Sequence, residues 1–113
     1  MTAGEAVFVA FCEHCHIVGP VDPALSLKKA GPHLNDLFGR KPGDVPEQLY
    51  SLAMVNFGKK HAWGEATLRA FLRGPTKKVM DGSNMRFDGL KSEEEITALL
   101  MYLASFDQDG MSP

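Results

Sequence analysis

The hydrophobic positions along this chain repeat at helical rather than strand spacing. Gly4, Val7, Phe8 and Phe11 fall at i, i+3, i+4 and i+7, one apolar stripe that predicts a first helix running into Cys12. The stretch "EATLRAFLR" (65–73) sets Leu68, Phe71 and Leu72 on one side and is stopped by Gly74-Pro75. "EQLYSLAM" (47–54) predicts a short helix. The last helix has the fullest signal. "SEEE" (92–95) is a capping box, with Ser92 as N-cap and Glu95 as its reciprocal partner. Its glutamates suit the positive end of the helix dipole. Ile96, Leu99, Leu100 and Leu103 make its core stripe, extended by Tyr102 and Phe106. No stretch alternates as a strand would, and there are no repeats.

Between these helices the pattern breaks up. Gly19, Pro20, Pro23, Gly31 and Pro32 punctuate 17–39, "KPGDVP" (41–46) is rich in turn residues, and 76–91 reads as a loop whose clearest breaks are Gly82 and Gly89. The tail 107–113 is expected to fray. The expectation is a single all-α domain over 1–113, several short helices among long loops. At 113 residues the surface-to-volume ratio is poor, so that much loop needs something central to pack on.

Composition narrows the class. With 44% hydrophobic and 23% charged residues the chain fits a soluble globular protein, and a formal charge of −2 gives no sign of a nucleic-acid binder. No apolar run approaches the roughly 18 residues of a membrane span. The start "MTAGEAVFVAF" lacks a basic segment followed by an apolar core, so it does not read as a signal peptide.

Both cysteines, Cys12 and Cys15, lie in "FCEHCHIVG" (11–19). A bridge across a two-residue gap would constrain almost nothing. A dithiol redox centre belongs before a βαβ pattern, and nothing here is β. Zinc wants four ligands, usually with a second paired motif, whereas His33 and His61 are unpaired and far apart. C-x-x-C-H at the end of a helix is the attachment signature of c-type haem. Cysteines at i and i+3 lie on one helical side and can grip adjacent edges of a planar macrocycle, and the next residue, His16, can turn under the iron.

An electron-carrying haem wants a sixth ligand, and a thioether raises the potential by favouring reduced iron. Six methionines compete. Met1 and Met111 are terminal, Met101 sits in the last helix where methionine is more often packing, and Met54 falls in a short predicted helix. Met80 and Met85 share the loop "KKVMDGSNMRF", and spacing alone prefers neither.

Taken together, the chain resembles the class I cytochromes c of the mitochondrial and short bacterial soluble type, over nearly its whole length. "CEHCH" resembles the haem-binding motif, "GPHLNDLFGRKPG" the family's G-P-x-L-x-x-L-F-G-R segment, and "GSNMRF" its G-T-K-M-x-F methionine loop. The resemblance implies the cytochrome c fold, with one haem c bonded through Cys12 and Cys15 and iron ligated by His16 and Met85. It implies that the Pro32 carbonyl accepts the second ring N–H of His16. It implies too that Arg40, Tyr50, Trp63 and Ser83 surround the haem propionates, and that Phe87 lies near the exposed haem edge. Gly4 and Phe8 resemble the contact of first and last helices, opposite Leu99 and Tyr102. Taken singly, Arg40 would read as a solvated charge, Trp63 as core and Pro32 as a turn. His14, His33 and His61 read as solvent-facing or structural.

The chain also departs from the family pattern. Phe71 stands where many relatives have a tyrosine whose hydroxyl lies near the methionine sulfur. The loop 17–30 and the stretch between Tyr50 and Trp63 are longer than in the mitochondrial type, so an asparagine role does not carry over to Asn56, and Asp81 replaces a frequent proline. The implied function is a monomeric, non-enzymatic shuttle of single electrons in the periplasm, with the mitochondrial intermembrane space as the alternative. Its expected partners are redox proteins such as a cytochrome bc1-type complex, a terminal oxidase or a dehydrogenase. They would dock transiently where Lys28, Lys29, Lys77, Lys78 and Arg86 ring the haem edge, while Glu93, Glu94, Glu95, Asp107 and Asp109 lie in the far C-terminal region. The rivals are a haem-based binder or sensor of small ligands, with a labile Met85, and a dedicated subunit of one dehydrogenase or oxidase.

Overall fold

The computed structural model describes residues 1–20, 29–46 and 48–111. Its described helices are α1 (Ala3–Phe11), α2 (Leu52–Gly58), α3 (Glu65–Arg73), α4 (Thr76–Val79) and α5 (Glu93–Ala104), and no strand occurs among the described residues. The class is all-α, as the periodicity predicts.

Side-chain caps set most of the helix starts. Thr2 Oγ1 accepts from Glu5 N–H at 3.2 Å, and Ser92 Oγ accepts from Glu95 N–H at 3.2 Å, satisfying amides that have no partner within their helix. At α3 the Gly64 N–H donates to Thr67 Oγ1 at 2.8 Å. The predicted return bond, donated by Ser92 N–H to the Glu95 carboxylate, does not form, so only half of the capping box is built.

α1 and α5 cross at Gly4. A Cβ there would collide with the Ala98 carbonyl oxygen and stand 2.6 Å from Tyr102 Cβ, so only glycine permits this approach. One turn on, the Phe8 and Tyr102 rings pack with centroids 5.8 Å apart. Beneath them Ile96 and Leu99 are fully buried, with Leu100, Leu103, Leu68 and Leu72 around them. Arg69 and Arg73 of α3 both pair with Glu93 of α5, and Arg69 also reaches Thr97 Oγ1 at 3.0 Å.

Two sequence expectations are corrected. The helix expected over 47–54 lies at Leu52–Gly58, because Ser51 takes the cap by accepting from Met54 N–H at 3.1 Å. Its last residue, Gly58, packs on the carbonyl of the buried Pro42. The loop expected over 76–91 opens with the one-turn helix α4. Of the tail expected to fray, 107–111 forms a closed turn and 112–113 lies outside the described residues. Asp107 Oδ1 accepts from Asp109 N–H at 2.9 Å and Met111 N–H at 3.0 Å, and Gly110 packs on the Gly19 carbonyl. Such an Asx turn is written into "DQDG".

Candidate haem cavity

α1, α2, α3, α5 and the loops between them enclose an apolar cavity of about 370 Å³. Native cores contain few voids larger than a water molecule, so a void of this size in a 12.4 kDa protein is a place for a ligand. Leu34, Leu37, Leu68, Leu72, Leu99 and Leu103 form its aliphatic wall.

The C-x-x-C-H segment closes α1 as a turn. His16 N–H and Cys15 N–H both donate to the Cys12 carbonyl, at 2.9 and 3.1 Å, so Cys12, Cys15 and His16 face the cavity together. Burial, and secondarily Cys15, pushes the Cys12 thiol pKa up to about 11. A reactive dithiol needs the opposite shift, which argues against a redox dithiol. Nor is there, among the described residues, a group of three or more His, Cys, Asp or Glu placed to hold a metal ion, as the zinc alternative requires.

His16 is fixed from two directions. Its Nδ1 donates to the Pro32 carbonyl at 2.8 Å, which leaves Nε2 with a free lone pair. Gly31 lies flat against the ring, and Gly31 N–H donates to the Cys15 carbonyl at 2.8 Å. Burial lowers the His16 pKa, opposed by the Pro32 bond and aided by Arg40, a direction that favours the neutral ring a metal ligand needs.

Arg40 and Trp63 share a wall because their backbones pair. Trp63 N–H donates to the Arg40 carbonyl at 2.9 Å and Gly39 N–H to the Trp63 carbonyl at 2.6 Å. Arg40 Nη1 donates to the Asn35 carbonyl at 2.9 Å, and Arg40 has no carboxylate partner among the described residues. Burial pulls its pKa below the ordinary arginine value. The Trp63 indole N–H likewise has no protein acceptor among the described residues, and its ring meets Phe71 edge-on at 5.3 Å. The Tyr50 hydroxyl accepts from Val45 N–H at 3.2 Å, and burial raises its pKa.

Of the six methionines only Met54 and Met85 border the cavity. Met80 is buried outside it, and Met1, Met101 and Met111 are exposed. Ser83, Phe71 and Phe87 border it too, and Ser83 Oγ accepts from Met85 N–H at 3.2 Å. Phe11 and Leu49 line it while remaining 51% and 88% exposed, which marks where it opens to solvent. Asn56 is exposed and absent from the lining. His14 is exposed, and His61 stacks on Phe57 at 4.3 Å. Among the expected docking cations, Lys77, Lys78 and Arg86 are exposed, Lys29 Nζ donates to the Glu13 carbonyl at 3.1 Å, and Lys28 lies outside the described residues.

Two residues escaped the sequence reading. Asn35, 2% exposed, holds both sides of Gly19: its Oδ1 accepts from Gly19 N–H and its Nδ2 donates to the Gly19 carbonyl, each at 2.9 Å. This stitches the chain after His16 to the segment that carries Arg40. Thr76, 3% exposed, bonds to Met85 and Phe87. Neither has a motif of its own, since a lone Asn or Thr near Gly and Pro reads as a turn residue.

The residues fit a haem. The walls suit a flat apolar macrocycle. Thiols, an imidazole with a free lone pair and a thioether are the donors that c-type haem uses. The desolvated Arg40 and the unpartnered Trp63 N–H suit the acid groups at its edge.

No protein-family model matches the chain. Three relatives do. It is 39% identical over 99 residues to cytochrome c-550 of Bradyrhizobium diazoefficiens, covering 88% of this chain and 68% of that one. It is 37% identical over 112 residues to cytochrome c2 of Afifella marina, covering 98% and 86%. It is 42% identical over 101 residues to cytochrome c of Sesamum indicum, covering 89% and 85%. Likeness of this extent joins the cavity to a known protein class: the chain belongs to the class I cytochromes c, carries one haem c on Cys12 and Cys15, and is an electron-transfer protein rather than an enzyme.

Proposed function

We propose that the chain is a diffusing electron carrier whose iron is held by His16 Nε2 and the Met85 sulfur. The observation that carries this reading is that Met85 borders the cavity of Cys12, Cys15 and His16, while its loop neighbour Met80 is buried outside it. Bound haem supplies a one-electron ferrous–ferric couple. The chain's own residues do the rest. Pro32 and Gly31 hold the His16 ring in one tautomer and one orientation. Arg40, Tyr50, Trp63 and Ser83, which line the cavity, would hold the propionates, and Arg40 would offset their charge. The leucines, Phe71 and Phe87 keep water away and disfavour the more highly charged ferric state.

Docking takes place at the open rim. Lys77 and Lys78 on α4 and Arg86 beside Met85 are exposed, Arg86 lines the cavity, and Lys29 is tied to the C-x-x-C-H turn through Glu13. Asp81 and Asp88 share that loop, so the rim is mixed rather than strongly basic. Its partners are redox proteins of the bc1-complex, oxidase or dehydrogenase kind, bound briefly by a monomer, with an association rate that falls as ionic strength rises. No described helix is long and apolar enough to cross a membrane. Covalent attachment of haem in this family follows export, which supports a periplasmic location.

One observation favours a second reading as a haem-based ligand binder: Phe71 borders the cavity with no hydroxyl to hold a methionine sulfur. Carbon monoxide binding to the ferrous protein separates the two. A carrier binds it slowly, limited by release of Met85, and the rate rises sharply in Met85→Ala. Fast binding by the wild type contradicts the carrier reading.

A further inference from the structure

We propose that Thr76 is the positioning residue of the Met85 thioether: its hydroxyl is the clip that holds the methionine against the iron. The inference rests on the reading of Met85 as an iron ligand. Thr76 uses every polar group it has. Its N–H donates to the Phe87 carbonyl at 2.8 Å, and its carbonyl accepts from Met80 N–H at 2.8 Å. Its Oγ1 donates to the Met85 carbonyl at 2.7 Å and accepts from Phe87 N–H at 3.1 Å.

The other ties of this loop lie elsewhere. Leu90 N–H donates to the Leu72 carbonyl at 2.8 Å, and Gly89 packs on Gly74, whose Cα a Cβ on Gly89 would meet at 3.1 Å. Both are four or more residues beyond Met85. On the near side, Met85 N–H reaches only Ser83 Oγ, two residues back within the same loop. Among the described residues, Thr76 alone hydrogen-bonds the Met85 backbone to a segment outside that turn. α3 offers no substitute, because Phe71 has no polar atom.

Removing the hydroxyl leaves a partly buried carbonyl and a partly buried N–H without their partner while Met85 stays in place. Both groups regain partners in water once the loop swings out. The released state therefore gains, by about tenfold for a typical buried hydrogen bond. An added ligand that competes with the thioether reads this directly, since its apparent affinity scales with the released fraction.

The test is imidazole titration of the mature ferric protein, with amide hydrogen exchange beside it. In the wild type, the Phe87 amide should be protected and that of Arg86, which has no acceptor among the described residues, should exchange freely. Thr76→Val, which keeps the shape and loses the hydroxyl, should raise the apparent imidazole affinity and the Phe87 exchange rate about tenfold each. Thr76→Ser should stay near the wild type. Ser92→Ala, which removes the α5 cap, should lower the unfolding midpoint and leave the imidazole affinity unchanged. The proposal is overturned if Phe87 exchanges as freely as Arg86 in the wild type, if Thr76→Val leaves the affinity unchanged, or if Ser92→Ala raises it equally. Met85→Ala isolates the underlying reading. If it binds imidazole no more tightly than the wild type, Met85 is not the ligand and both claims fall. If it binds far more tightly while Thr76→Val does not, the Thr76 claim alone falls.

Discussion

Gly31 and His16 are in face contact. A Cβ on Gly31 would lie 2.7 Å from Nδ1 and 2.9 Å from Nε2 of the imidazole. No side chain fits there unless the ring moves, and the ring cannot move without loss of its bond to Pro32. Gly31→Ala is therefore expected to cost about 1–3 kcal/mol of stability, as overpacking does. Urea denaturation of the mature protein checks this, and an unchanged midpoint would show that the ring has room.

At the crossing of α1 and α5, local and tertiary preferences oppose each other at Gly4. Alanine is the better helix former by about 1 kcal/mol. Its methyl group would meet the Ala98 carbonyl and Tyr102 Cβ. Packing should win, so Gly4→Ala is expected to lower stability by about 1–3 kcal/mol, read from the same denaturation curve. A gain in stability would mean that the helices separate at little cost.

The Arg73–Glu93 pair should make stability depend on pH in one direction. The hydrogen bond from Arg73, then the charges of Arg73 and Arg69, hold the Glu93 carboxyl below its ordinary range. An acid with a depressed pKa stabilises the fold above its unfolded-state value, and that share is lost as pH falls through the folded-state value. The urea midpoint of Glu93→Gln should lie below that of the wild type near neutral pH, and the gap should close below about pH 4. A gap that persists in acid would point to packing rather than charge. Both groups are exposed, so the effect is small.

Helices were legible where local chemistry and burial agree. The bounds of α3 follow from its apolar side and the Gly74-Pro75 stop, and α5 from Ser92 and its leucines. α2 was displaced because the chain before Ser51 is extended, with Leu49 and Tyr50 bordering the cavity, a demand of the cofactor space that periodicity does not carry. In the site, Cys12, Cys15 and His16 were legible because the spacing is itself the chemistry. The choice between Met80 and Met85 was not legible from spacing, since it turns on which side chain the loop sends into the cavity. The clamps at Asn35 and Thr76 were invisible for a related reason. Their partners lie 16 residues away and 9 or 11 residues away, and each partner group is backbone, which no residue type announces.

The most direct measurement is the weak near-infrared sulfur-to-iron absorption band of the mature ferric protein, recorded for the wild type and for Met85→Ala, Met54→Ala and Met80→Ala. One haem held by His16 and Met85 predicts the band in the wild type and in the Met54 and Met80 variants, and its loss in Met85→Ala alone. A wild type without the band, or a band that survives in Met85→Ala and vanishes in Met54→Ala, would contradict the account.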